Sequence, residues 1–340
     1  MKGRSTAWLL AAAGIGSYVA LRAVRRRLRF YDLQGKVILL TGGSRGLGLV
    51  LARELATYNP RLILCARDPD ELYRARDELS QRRIDVLAVP CDVADKAQVD
   101  GMIEHARKRF GPIDVLINNA GVIQVGPVET MNLQDFEEAM RTHFWGPLHT
   151  TLAVLPEMCR RRQGRIVNIT SIGGKIAVPH LVPYDASKFA LVGLSEGLRA
   201  ELVKDNVYVT TVCPGLMRTG SPRNAEFKGQ HRAEYAWFSL SDAMPGFSMS
   251  AESAARRIVK ACQNGEAEVI LSLPAKVAAA FHGVFPGLTC DVLSLVNRML
   301  PGPGGDGKKS VKGKDSQSAL SPSWLTILNE RAARRNNELP

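Results

Sequence analysis

Tyr184 and Lys188 stand four residues apart in a stretch of helical periodicity, so both side chains project from one helix face. A phenol titrates near ~10, too high for easy proton exchange at neutral pH. A neighbouring ammonium favours the phenolate and lowers that value, which makes the pair an expected acid/base near neutrality. Ser171 lies thirteen residues before Tyr184, at the carboxyl end of a strand-like run, where its hydroxyl can bond a carbonyl oxygen. Such a trio suits proton delivery to a carbonyl oxygen while a second group supplies hydride to the carbon. A Tyr/Lys pair alone would read as an ordinary exposed helix face. The chain also carries Thr41-Gly42-Gly43-Ser44-Arg45-Gly46-Leu47-Gly48, which ends an apolar strand and opens a helix. Glycines there permit a tight turn, close backbone approach and a helix N-terminus aimed at a phosphate.

The elements that must position these residues alternate. Short β-rich runs at Lys36–Leu40, Arg61–Cys65, Val86–Pro90, Val115–Asn118, Arg165–Ile169, Val207–Cys213 and Glu268–Leu271 are separated by helix-periodic stretches. Those stretches are Leu47–Tyr58, Asp70–Arg82, Ala97–Phe110, Leu133–Arg162, Tyr184–Lys204 and Ala251–Gln263. Uninterrupted apolar strands between helices predict an α/β, doubly wound (Rossmann) parallel sheet of about seven strands covered on both faces. Ligands then bind above the carboxyl ends of the strands.

On these motifs the sequence resembles the short-chain dehydrogenase/reductase family. The family's Thr-Gly-x-x-x-Gly-x-Gly is met by Thr41, Gly42, Gly46 and Gly48, and its Asn-Asn-Ala-Gly by Asn118, Asn119, Ala120 and Gly121. Its Asp after the third strand is Asp92, followed by Val93; its Ser is Ser171; its Tyr-x-x-x-Lys is Tyr184 and Lys188; its Pro-Gly-x-x-x-Thr is Pro214, Gly215 and Thr219. The match spans residues 33–273, roughly seven-tenths of the chain. The resemblance implies a bacterial-type, membrane-anchored oxidoreductase that interconverts a carbonyl and a secondary alcohol. Tyr184 is then the acid/base, Lys188 lowers its pKa and Ser171 orients the carbonyl. It implies dinucleotide contacts from Thr41, Gly42, Ser44, Arg45, Gly46, Leu47, Gly48, Asp92, Val93, Asn119, Ala120, Gly121, Tyr184, Lys188, Pro214, Gly215 and Thr219, and a homodimer or homotetramer.

Two positions refine the expectation. Family members that use NAD carry an acid at the end of the second strand; here the run ends Cys65-Ala66-Arg67, and Arg45 lies in the glycine-rich turn. Two guanidiniums match a 2′-phosphate, so NADP(H) is expected over NAD(H), with Asp68 the complicating acid. The family's Asn before the fifth strand, implied to hold a water linked to the lysine, is replaced by His143. Histidine also donates and accepts, so a supporting role for His143 is expected beside the alternative of plain packing.

The ends differ from the body. Residues 1–30 carry seven Lys/Arg and no acid, residues 301–340 carry a net +3, and of the chain's +12 only +2 remains for the middle. Basic ends on a balanced body point to a membrane surface and away from nucleic acid. The apolar run Ala7–Leu21, extended to residues 7–24, is read first as a membrane anchor, then as an interfacial helix, then as a cleaved signal. Its larger basic flank follows it, which keeps the catalytic domain on the cytoplasmic side. The domain plan is therefore anchor and basic flank over 1–32, catalytic domain over 33–273, an apolar or amphipathic extension over 274–300 and a flexible basic tail over 301–340. The six cysteines form no metal-spaced cluster and read as free thiols in a reducing compartment. Phe227, Tyr235, Trp237, Phe238, Met244 and Phe247 in the segment after Gly215 suggest an apolar lipid-, steroid- or retinoid-like substrate, or simple packing. A catalytically impaired dinucleotide-binding scaffold is the alternative, and a membrane tether a third reading.

Overall fold

In the computed structural model, residues 24, 27–244, 246, 248–318 and 327–338 are described. Residues 7–23 of the anchor expected over 7–24, and Phe247, lie outside the described residues. Seven apolar runs form one sheet because their side chains find cover on both faces. The strands are β1 Val37–Thr41, β2 Arg61–Ala66, β3 Asp85–Pro90, β4 Val115–Asn118, β5 Gly164–Ile169, β6 Val207–Cys213 and β7 Glu268–Ile270. Their order is β7-β6-β5-β4-β1-β2-β3 and every pairing is parallel. The order reverses between β1 and β4, so the connections leaving those two strands part and open a crevice at their carboxyl ends.

One core lies under α1 (Gly46–Ala56), α2 (Pro69–Ser80) and α8 (Ala251–Gln263). The other lies under α3 (Lys96–Phe110), α5 (Gly146–Arg161) and the end of α6 (Val182–Leu202). The long helix expected over Leu133–Arg162 is interrupted. It forms α4 (Leu133–Met140), then one widened turn at Arg141–Trp145, then α5. Such widened turns displace side chains from the regular helical face, and this one turns His143 inward. A buried polar chain ties the middle strands to α6: Thr150 Oγ1 donates to Asn118 Oδ1 (2.7 Å), Asn118 Nδ2 to Asn168 Oδ1 (2.9 Å), and Asn168 Nδ2 to Ser195 Oγ (3.1 Å).

The C-terminal residues hold more structure than their composition suggests. The tail expected to be flexible over 301–340 carries ordered elements at Val311–Lys312 and Ile327–Arg335. Val311–Lys312 pairs antiparallel with Glu226–Phe227, and the helix α11 (Ile327–Arg335) packs on α7 (His231–Ala243). Glycine makes this possible: a side chain at Gly313 would collide with the Pro222 carbonyl and the rings of Tyr235 and Phe227. Composition registered the glycines as slack, whereas here they permit close approach. Among the cysteines, all free, Cys65, Cys91, Cys213 and Cys262 are buried but Cys290 is exposed. Cys290 belongs to the helical pair α9 (Leu273–Val284) and α10 (Pro286–Asn297), whose Leu273, Val277, Phe281, Val284, Leu288 and Leu295 all stand in solvent. Among the described residues no helix is long and apolar enough to cross a membrane.

Candidate active site

The glycine-rich turn is pressed against the end of β4. Gly42 has φ +65°, and a side chain there would come within 2.8 Å of the Ala120 Cα; a side chain at Gly48 would collide with the Gly42 carbonyl. Thr41 clasps the contact: its Oγ1 accepts from the N–H groups of Asn119 (3.0 Å) and Ala120 (3.1 Å). Asn119 Nδ2 returns bonds to the carbonyls of Thr41 (3.2 Å) and Gly42 (3.1 Å). Thr41 thus shapes the cradle from behind. The other sequence-selected residues line one cavity of about 870 Å³: Gly42, Ser44–Gly48, Arg67, Asp92, Val93, Asn119–Gly121, His143, Ser171, Tyr184, Lys188, Pro214, Gly215 and Thr219.

At the far end of this cavity α6 carries Tyr184 one turn before Lys188. The Lys188 Nζ lies 5.5 Å from the centre of the Tyr184 ring and donates to the Ile169 carbonyl at 3.1 Å. Ser171 hydrogen-bonds the Tyr184 hydroxyl, and its own Oγ accepts from the Gly173 N–H at 3.0 Å. Burial dominates the protonation of both members of the pair. It pushes the phenol up, against the relief given by Ser171, and pushes the Lys188 amine down to about 7. The sequence expectation of a phenol lowered by a full ammonium is therefore not what the chain itself presents. Desolvation penalises either charge, and an amine titrating near neutrality offers only part of one. The phenol is held protonated, ready to donate.

His143 is buried, and burial keeps it neutral by holding its pKa well below the usual histidine range. Its Nε2 accepts from the Val122 N–H at 3.1 Å, so its Nδ1–H faces Ser187 Oγ at 2.7 Å. Ser187 in turn donates to the Tyr184 carbonyl at 2.7 Å. The ring meets the Tyr184 ring edge-on, 5.3 Å between centres. Both nitrogens are committed to protein partners, and the ring packs against Tyr184.

At the opposite end, Arg45 Nη1 pairs with Glu71 Oε1 at 2.7 Å. Arg67 stands exposed at the rim with no ion-pair partner among the described residues. Asp68 turns its carboxylate to the N-terminus of α2, accepting from the Glu71 N–H at 2.9 Å. Of the lid aromatics, Phe227 and Tyr235 are core, while Trp237 and Phe238 line the cavity; Met244 is exposed. Sequence reasoning missed Asp185, Asp242, Glu71 and Glu338, which also line it. Asp185 was marked only by its place beside Tyr184; nothing in the local sequence signals the others. Among the described residues no group of three or more His, Cys, Asp or Glu could hold a metal ion.

A glycine cradle at a helix N-terminus, continuous with a buried Tyr/Lys/Ser trio, fits a nicotinamide dinucleotide laid along the crevice, and the class is that of dinucleotide-dependent oxidoreductases. Residues 36–228 match the family model described as short chain dehydrogenase. The chain is 34% identical over 252 residues to the dehydrogenase/reductase SDR family protein 7-like of Anopheles gambiae, covering 73% of this chain and 78% of that protein. It is 34% identical over 241 residues to the ketoacyl reductase HetN of a Nostoc species, covering 71% and 79%. Among solved structures, an actinorhodin polyketide ketoreductase variant with NADPH superposes with a TM-score of 0.63 at 29% identity, covering 70% and 96%. The chain belongs to the short-chain dehydrogenase family and is an oxidoreductase that uses a nicotinamide dinucleotide. Its relatives come from animals as well as bacteria, so the bacterial-type expectation gains no support.

Burial pushes the Asp242 carboxyl up to about 8 from an ordinary value of 3.8. Between those values the folded chain holds a proton that the unfolded chain has lost, so stability falls as pH rises across that window. Asp242→Asn should therefore gain Tm over the native chain progressively from pH 3.8 to about 8 and level off above. A gain that is the same at every pH in thermal melts would contradict the buried, protonated acid.

Proposed function

We propose that the chain reduces a carbonyl to a secondary alcohol with NADPH. The observation that carries the reading is the buried, protonated Tyr184, hydrogen-bonded to Ser171 and packed against His143, in the same cavity as the glycine-rich turn. When bound, the dihydronicotinamide supplies hydride to the carbonyl carbon. Ser171 and Tyr184 hold the carbonyl oxygen by hydrogen bonds, Tyr184 gives its proton to that oxygen as charge develops, and Lys188 stabilises the phenolate left behind. The residues implied to hold the dinucleotide are Gly42, Ser44–Gly48, Asp92, Val93, Asn119–Gly121, Pro214, Gly215 and Thr219, each placed at the wall of the crevice.

NADPH is preferred on this reading because Arg45 and Arg67 bring guanidiniums to the rim beside the glycine-rich turn, and Asp68, the nearest acid in sequence, is spent on capping α2. Val178, Leu181, Met217, Trp237 and Phe238 give the substrate end an apolar wall, which suits a lipid-, steroid- or retinoid-like carbonyl. Exposed apolar side chains on α9 and α10, the apolar run at 7–24 and the basic N-terminal flank support attachment to a membrane with the catalytic domain on the cytoplasmic side. Exposed Trp145 in the widened turn, Leu152 on α5 and Phe189 on α6 supply apolar surface for a homodimer or homotetramer.

Steady-state assays across a panel of apolar ketones should give kcat/KM at least about tenfold higher with NADPH than with NADH, about 1.4 kcal/mol. Arg45→Ala and Arg67→Ala should erode that ratio, and an equal or reversed preference would refute the assignment. Cell fractionation should place the full chain in membranes and release a chain beginning at Leu33 at least in part; identical partition of both would remove the anchor.

A further inference from the structure

The helix α11 stops in a manner its sequence favours. Asn337 takes the left-handed conformation (φ +57°), and the Glu338 N–H returns to the Ala333 carbonyl at 3.1 Å. That stop turns the Asn336 carbonyl outward, where it accepts from the Gly46 N–H at 2.9 Å. Gly46 is the first residue of α1, the helix whose N-terminus faces the crevice. Asn337 Nδ2 donates to the carbonyls of Ser44 (2.9 Å) and Glu71 (3.1 Å). Asn336 Nδ2 donates to the Thr219 carbonyl (3.3 Å), so the segment reaches across the crevice from the glycine-rich turn to the loop after β6. The Glu338 carboxylate bonds Asn224 and lies 3.6 Å from Arg45 Nε; its Oε1 is 2.6 Å from the point where a side chain on Gly46 would begin.

We propose that residues 327–338 are an intramolecular competitor for the dinucleotide: the Asn336 carbonyl and the Glu338 carboxylate occupy the anion-binding end of the glycine-rich turn and must be displaced for the cofactor's phosphates to bind. The proposal rests on the dinucleotide reading of the site. An N–H at a helix N-terminus and a nearby guanidinium attract an anion, and a carboxylate already seated there excludes a phosphate from the same space. The exchange is feasible because the competitor is weak. A nine-residue helix is marginal by itself and owes its order to docking, so release returns it to a disordered chain. Phosphates bring more charge than one carboxylate, so NADPH at sufficient concentration wins. At limiting cofactor the segment keeps the phosphate end of the crevice occupied.

The test uses the full chain. Ala333 is buried against Gly220, and its Cα lies 2.5 Å from the point where a side chain on Gly220 would begin, so Ala333→Glu cannot be seated and should eject the segment. Glu338→Ala is the milder variant and removes only the carboxylate. A segment docked nine-tenths of the time weakens cofactor binding about tenfold, so Ala333→Glu should bind NADPH between about three and ten times tighter by fluorescence titration. Glu338→Ala should move the same way by less. In the native chain, saturating NADPH should speed amide hydrogen exchange over residues 327–338. Unchanged or weaker binding in both variants overturns the proposal, as does a segment that stays protected at saturating NADPH. If no form of the chain binds NADPH or NADH, the dinucleotide reading itself fails and takes the proposal with it.

Discussion

A lysine amine and a tyrosine hydroxyl, both buried, share one turn of α6, and neither can carry charge without cost. Burial pushes the Lys188 amine down to about 7 and the phenol up. Everything around the pair works to keep it in place. The Ile169 carbonyl accepts from the amine, Ser171 bonds the phenol, and His143 stands edge-on to the ring with its own nitrogens fixed by Val122 and Ser187. A buried ionisable pair of this kind costs stability in the resting chain. The Asn118–Asn168–Ser195 chain ties α6 to the centre of the sheet.

The second constraint is the contact between the glycine-rich turn and the end of β4. Four bonds join Thr41 and Gly42 to Asn119 and Ala120 across it, so β1 and β4 end in one rigid lip at the point where the strand order reverses. The crevice opens above that lip. Its two ends differ in character: guanidiniums, the carboxylates paired with them and N–H groups at the phosphate end, aromatic and aliphatic side chains with a buried acid at the substrate end. The C-terminal segment reaches back over the first of these ends, which places a residue as late as Glu338 beside Arg45.

Much of this was legible in the sequence because it is local. Each strand fell within a residue or two of its run of apolar residues. The turn, the Asn-Asn-Ala-Gly lip and the Tyr/Lys spacing are short motifs whose geometry follows from the backbone. What escaped depends on distant returns of the chain. Glu71 meets Arg45 from α2, Asp242 reaches the cavity from α7, and Asn336 reaches Gly46 across nearly the whole chain. The order within the tail was not legible because Gly, Pro and Lys resemble a linker in composition, whereas Gly313 is needed for close packing against Phe227 and Tyr235. The departure at His143 was visible, but its two committed nitrogens follow from a widened helical turn that periodicity does not reveal.

The central claim is that Tyr184 supplies the proton while hydride passes to a carbonyl carbon. The most direct measurement is transfer of label from NADPH deuterated at the reactive C4 position to an apolar ketone, followed in the native chain and in Tyr184→Phe. The account predicts deuterium on the carbinol carbon with the native chain, and a transfer rate lower by about 10²–10⁴ in Tyr184→Phe with NADPH binding retained. Undiminished transfer in Tyr184→Phe, or an alcohol product without the label, would contradict it.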